Sequence, residues 1–135
     1  MKDSTRLLLA FIIVFAMALP VFARGMFDIS TQPPTPTLLS PNEKVDLSGK
    51  ATLKFKWYSE TSFAVDHLEF RIYKGNVATA ENLIFKQDLS MTASSIEVKS
   101  DLFDIGQVYT WTLRLLSRGG QKSDKSFDTF EVIKK

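Results

Sequence analysis

In the stretch "QVYTWTLRLLS", residues 107–117, Tyr109, Trp111, Leu113 and Leu115 occupy every second position. Val108, Thr110, Thr112, Arg114 and Leu116 fill the gaps. Side chains of an extended chain alternate between two faces, so this spacing puts the four large residues on one side of a strand. The same period recurs along the chain. "ATLKFKWY" sets Ala51, Leu53, Phe55 and Trp57 against Thr52, Lys54, Lys56 and Tyr58, and "DHLEFRIYKGN" sets Leu68, Phe70 and Ile72 against His67, Glu69, Arg71 and Tyr73. "ENLIFKQDL" gives Leu83 and Phe85 with Ile84 and Lys86 opposite, and "SSIEVKS" gives Ile96 and Val98. "SFDTFEVIKK" places Phe130 and Val132 together and leaves Phe127 unassigned.

A helix needs apolar residues at three- and four-residue steps, and none of these segments has them. Only "NVATAENLIF" holds a helical signal, a short turn around Ala78, Ala80 and Glu81. "TLLSPNEKVDLSGK" reads as two short extended pieces around Pro41, and "SRGGQKSD" as a hairpin turn through Gly119 and Gly120. About seven short strands at this spacing predict an all-β chain, an antiparallel sandwich of two sheets over one core. Tyr109 and Trp111 share the parity of Leu113 and Leu115, so they read as core. A ligand platform needs its aromatics on the polar side.

The 135 residues suffice for one domain, and 44% hydrophobic with 24% charged residues is ordinary for a globular chain. A net charge of +2 without a basic run argues against nucleic acid as a partner. The chain has no cysteine, which excludes disulfides, a thiol nucleophile, a thiolate metal site and a lipid-anchored lipoprotein.

The first 23 residues are of another kind. "MKDSTR" carries Lys2 and Arg6, "LLLAFIIVFAMAL" is uncharged and apolar, and "PVFA" offers small residues at Val21 and Ala23. This is the three-part pattern of a secretory signal peptide, residues 1–23, with cleavage before Arg24. Bilayer crossing takes about 20 apolar residues, so an uncleaved membrane anchor is the alternative. Residues 24–36, with Pro33, Pro34 and Pro36, read as a stiff extended spacer. Residues 37–135 are then the sandwich domain, placed outside the cytoplasm as a secreted or periplasmic protein.

Over roughly residues 36–133 the chain resembles a fibronectin type III or related immunoglobulin-like domain, in particular the modules of bacterial exported proteins. "PTLLSP" precedes the first sheet, and "LKFKW" puts Trp57 in the place of the family's core tryptophan. "LFDIGQVYTWTL" resembles the family's tyrosine corner, with Phe103 in the leucine place and Tyr109 as the corner tyrosine. "SDKSFDTFEV" resembles the closing strand. Ile105 and Gln107 depart from the proline and threonine usual in that corner. The resemblance implies that the Tyr109 hydroxyl bonds the backbone just upstream.

The chemistry-bearing residues are sparse. His67 is the only histidine, on the polar side of a strand, and reads as solvated. Asp101, Asp104, Asp124 and Asp128 lack a calcium-loop spacing and read as turn and capping residues. No catalytic, metal or cofactor site is expected. The expected function is that of an exported, non-enzymatic module acting by protein contact, as an accessory or envelope-associated factor. The alternative is a carbohydrate- or cell-wall-binding module. Of the aromatics a glycan could stack on, Tyr58 and Tyr73 are expected on opposite sheets and so form no one surface, and the loop residue Phe63 reads as a loop-tip contact or a core plug. The expected partner face is the outer side of the second sheet, with Glu69, Arg71, Tyr73, Ile84, Thr110, Thr112, Arg114 and Leu116. Tyrosine and arginine are enriched at interface hot spots, whereas lysine is depleted. Trp57, Tyr109 and Trp111 are the structural residues.

Overall fold

A computed structural model describes residues 32–60 and 64–135. The signal reading of residues 1–23, the start of the spacer and the loop residue Phe63 lie outside the described residues. The strands belong to one compact unit, Gln32–Lys135.

Among the described residues, eight strands form two sheets. β1 (Thr37–Ser40), β3 (Thr52–Tyr58) and β6 (Ser95–Lys99) make a three-stranded sheet in the order β1-β3-β6. β2 (Glu43–Asp46), β4 (Val65–Lys74), β5 (Leu83–Ser90), β7 (Val108–Ser117) and β8 (Ser126–Lys134) make a five-stranded sheet in the order β2-β8-β7-β4-β5. The pairings are antiparallel except for β2 with β8, which is parallel.

The two extended pieces read around Pro41 are both strands, so with the six alternating runs the described residues hold eight strands where about seven are predicted. The chain breaks at the cis Ser40–Pro41 bond and changes sheets there. β1 pairs with β3 on one side of the sandwich, and β2 pairs with β8 on the other. The Trp111 indole N–H donates to the Pro41 carbonyl at 3.0 Å, which ties this crossover to the middle of β7. The short helical turn falls at Ala80–Asn82, as a single 3-10 turn.

The spacer's end does not stand away from the strands. Pro33 and Pro36 are buried, and the Ser126 hydroxyl donates to the Pro36 carbonyl.

The two sheets close over an aromatic cluster. Phe55 is fully buried at its centre, with the rings of Phe70 and Trp111 each 5.1 Å away and nearly edge-on. Phe130 lies at 5.8 Å and Phe103 at 6.3 Å. Edge-to-face contacts set the positive rim of one ring against the negative face of another, so the cluster is favoured beyond its burial alone. Trp57, 2% exposed, packs on Phe70 and donates its indole N–H to the Ala93 carbonyl at 3.1 Å. Both tryptophans thus bury their rings while keeping a partner for their one polar group.

The turn before β7 is held from several sides. The Asp104 N–H donates to the Tyr109 hydroxyl at 2.7 Å, and the Phe103 ring meets the Tyr109 ring edge-on at 5.1 Å. Gly106 takes φ +79°, the left-handed region where a Cβ is strained, and its N–H donates to the Val132 carbonyl at 2.7 Å. Ile105, in the usual proline place, points outward and is largely exposed, so no packing depends on it. Burial pushes the Tyr109 phenol above its ordinary pKa; the Asp104 hydrogen bond opposes this and the Asp104 charge adds to it. Tyr109→Phe keeps the ring and removes the acceptor. It is expected to cost about 1 kcal/mol in chemical denaturation. A variant as stable as the parent would show that the hydroxyl does not hold the corner.

Candidate functional site: the outer face of the five-stranded sheet

The two sheets turn different chemistry outward. On the three-stranded sheet, Lys54 stands opposite Glu97, and Thr52 opposite Lys99. Lys54, Lys56, Glu97 and Lys99 are exposed. This side is a solvated, mixed-charge surface.

The five-stranded sheet is built differently. Its outward positions run in rows across the strands. One row passes from Phe127 on β8 to Thr112 on β7, Arg71 on β4 and Lys86 on β5. The next joins Thr129, Thr110, Tyr73 and Leu83. A third sets Arg114 beside Glu69 and Asp88. The register therefore brings Glu69, Arg71, Tyr73, Thr110, Thr112 and Arg114 onto one continuous face, with Leu116 one row further along β7 and opposite His67.

Facing outward is not the same as being exposed. Tyr73, Thr110 and Thr112 are 3%, 2% and 3% exposed, so a partner cannot reach them as the sequence reading requires. Short side chains on the inner strands of a sheet are screened by longer neighbours: Thr112 lies between Arg71 and Phe127, and Thr110 lies beside Tyr73. The Thr110 hydroxyl is also occupied, donating to the Gly75 carbonyl at 2.7 Å.

Ile84 is a correction of another kind. The β4–β5 register shifts between Ile72 and Tyr73: Ile72 opposes Phe85, but Tyr73 opposes Leu83. Ile84 is the extra residue of this bulge and packs with Phe85 against the core. A bulge inserts one residue and exchanges the faces of the residues beyond it, so Leu83, not Ile84, stands opposite Tyr73 on the outer side.

The accessible part of the face is an arginine–glutamate cluster beside an exposed ring. Arg114 donates from Nε to one Glu69 oxygen at 2.6 Å, its Nη2 lies 2.6 Å from the same oxygen, and Arg71 approaches that oxygen at 3.9 Å. Burial disfavours the charged Glu69 carboxylate. The Arg114 hydrogen bond and the charges of Arg114, Arg71 and Lys122 outweigh this and hold its pKa below the ordinary glutamate value. A lowered folded-state pKa means that this contribution to stability is present above the unfolded-state value and is lost as pH falls through the folded one. Phe127 completes the cluster, 72% exposed and one strand from Thr112. Counting back three residues from the inward Phe130 puts Phe127 on the opposite face, so its place was available in the sequence.

The remaining polar candidates are modest. His67 Nδ1 lies 2.7 Å from Asp66 Oδ2 at a partly exposed site. Asp128 accepts from the Thr129 N–H at 2.8 Å, and Asp104 lies 3.9 Å from the Lys74 ammonium. Among the described residues, no three His, Cys, Asp or Glu side chains group where a metal ion would fit. Tyr58 is 63% exposed on the three-stranded sheet, and Tyr73 is buried on the other, so they form no common surface.

No protein-family model matches the chain, and no curated protein matches it. Solved structures do share its architecture. A computationally redesigned β-sandwich protein aligns with a TM-score of 0.58 and 15% identity, over 74% of this chain and 95% of that one. The fibronectin(III)-like modules of Clostridium thermocellum CbhA align with a TM-score of 0.50 and 13% identity, over 73% of this chain and 96% of theirs. Identities this low carry the fold alone. The domain is a fibronectin type III-like β-sandwich.

Proposed function

We propose that the chain is an exported, non-enzymatic β-sandwich module that acts through protein contact, as an accessory or envelope-associated factor. Its partner docks on the outer face of the five-stranded sheet. The observation that carries this reading is Phe127, a large ring 72% exposed, on the same face as Arg71 and Arg114. Aromatic and arginine side chains dominate interface hot spots, and the opposite sheet offers mainly lysine, which is depleted there. Sandwich folds host many functions, so this face, and not the fold, supports the reading.

A carbohydrate- or cell-wall-binding module is the second reading, and the exposed Tyr58 ring favours it. Stacking on a chain of sugars takes several rings on one surface, whereas Tyr58 and Phe127 lie on opposite sheets. Affinity capture with the mature domain from an extracytoplasmic extract, read by mass spectrometry, is expected to return one saturable protein partner. Saturable binding on a glycan array, with no protein captured, overturns the first reading in favour of the second.

Export is part of the proposal and rests on the charged, apolar and small-residue order of residues 1–23. Cleavage there removes two of 17 basic and one of 15 acidic residues, leaving a net charge of +1. Intact-mass analysis is expected to show a mature chain beginning at Arg24. A membrane-bound product that retains residues 1–23 contradicts it.

A further inference from the structure

β5 is the longest strand at a sheet edge, eight residues paired on one side only, to β4. Its outward charges are placed awkwardly within the chain. Lys86 stands directly opposite Arg71, and Asp88 directly opposite Glu69. Like charges at directly opposed positions repel, and neither Lys86 nor Asp88 has an ion-pair partner among the described residues. Phe85 and Leu89 flank them on the inner side, opposite Ile72 and Leu68.

The sequence of this edge is self-complementary. Laid antiparallel to a second copy and centred on Gln87, "FKQDL" sets Lys86 against Asp88 of the copy, Asp88 against Lys86, and Phe85 against Leu89. The repelling pair at Arg71–Lys86 then meets the acidic pair of the copy, and the reverse holds at Glu69–Asp88. Neighbouring registers that keep the same faces fail. A shift by two residues brings Lys86 onto Lys86 in one direction and Asp88 onto Asp88 in the other. In the favoured register, paired residues are both odd or both even, so the free N–H and C=O groups of one copy meet those of the other. The other edges suit this less well. β1 and β2 have four residues each, and β6 laid on itself about its centre puts Glu97 on Glu97.

We propose that β5 is a self-association edge, at which two copies of this chain join their five-stranded sheets about a twofold axis through Gln87. Edge strands are usually shielded by charge against any added strand. Here the charges admit one particular strand, that of the same protein. This goes beyond docking on the sheet face: edge and face are separate surfaces, and either reading can fail alone.

The chain lacks cysteine, so a single introduced thiol reports the contact without background. Residues opposed across an antiparallel pair have Cα atoms about 4.5–5.5 Å apart, within the range a disulfide spans. Full-length Gln87→Cys is expected to form a disulfide dimer under mild oxidation, whereas Lys54→Cys, on the other sheet, stays monomeric. Adding Lys86→Asp to Gln87→Cys turns two attractions into repulsions and is expected to lower dimer yield about tenfold. Adding Asp88→Lys as well restores the opposition of signs and the yield. Tryptophan fluorescence checks the fold of each variant. If the charge variants unfold, the comparison of Gln87→Cys with Lys54→Cys decides alone. Equal dimerisation of those two, no Gln87→Cys dimer, indifference to Lys86→Asp, or a thiol that captures a different protein each overturns the proposal.

Discussion

Trp57→Ala is expected to lower the free energy of unfolding by about 3–5 kcal/mol, the range for truncating a large aromatic in a packed core. Trp57 is 2% exposed, and its ring lies 6.2 Å from that of Phe70. Alanine leaves a cavity between the two facing sheets into which the structure relaxes only in part, since β3 and β4 are each held by backbone pairing to strands of their own sheet. It also takes the indole donor from the Ala93 carbonyl, which orders the connection between β5 and β6. Against the roughly 5–15 kcal/mol typical of a whole domain, this is a large loss. Tyr58→Ala, one position along and 63% exposed, is expected to change stability by no more than about 0.5 kcal/mol. Denaturant midpoints with unchanged slopes measure both. A loss below about 1 kcal/mol for Trp57→Ala would mean that β3 has its faces reversed.

The second large effect concerns binding. Phe127→Ala and Arg71→Glu are each expected to weaken partner affinity by about 2 kcal/mol or more, roughly thirtyfold, as central interface residues do. The two act differently. Phe127 contributes apolar area that a partner removes from water, and its exposure means that truncation leaves no internal cavity. Arg71 lies 3.9 Å from Glu69, while Arg114 already holds that carboxylate at 2.6 Å, so Arg71 keeps donor capacity for a partner. Reversing its charge puts a second carboxylate beside Glu69 and repels an acidic partner group. Titration calorimetry or surface binding with the captured partner gives the magnitudes.

The alternation of apolar residues in "LKFKW", "HLEFRI" and "YTWTLRL" is enough to orient β3, β4 and β7, because a period of two has only one core-facing solution in each. The tyrosine corner was legible too, in the interval from Phe103 through Gly106 to Tyr109, although two of its usual residues are replaced. The opening strand was harder. Pro41 marks a break, but nothing in "TLLSPNEKVD" says that the halves join different sheets; that depends on a distant partner, the Trp111 indole at the Pro41 carbonyl.

The face was legible in outline and not in detail. Parity assigns Thr110, Thr112 and Tyr73 to the outer side, but exposure depends on the neighbours across the strands, and these belong to segments far away in sequence. The bulge that turns Ile84 inward arises from the fit of β5 to β4 and has no mark in "ENLIFKQDL". Phe127 was missed for the opposite reason: a hydrophobic residue near a strand start suggests core, while its odd spacing from Phe130 and Val132 puts it outside.

Docking on the five-stranded sheet is tested most directly by affinity capture from an extracytoplasmic extract with Phe127→Ala, Arg71→Glu and Lys54→Glu, each first shown to fold by denaturation midpoint. Lys54→Glu is expected to capture the same protein as the parent domain, in the same amount, because Lys54 lies on the outer side of the other sheet. Phe127→Ala and Arg71→Glu are expected to lose it. Capture abolished by Lys54→Glu and retained by the other two would contradict this assignment and place the interface on the three-stranded sheet.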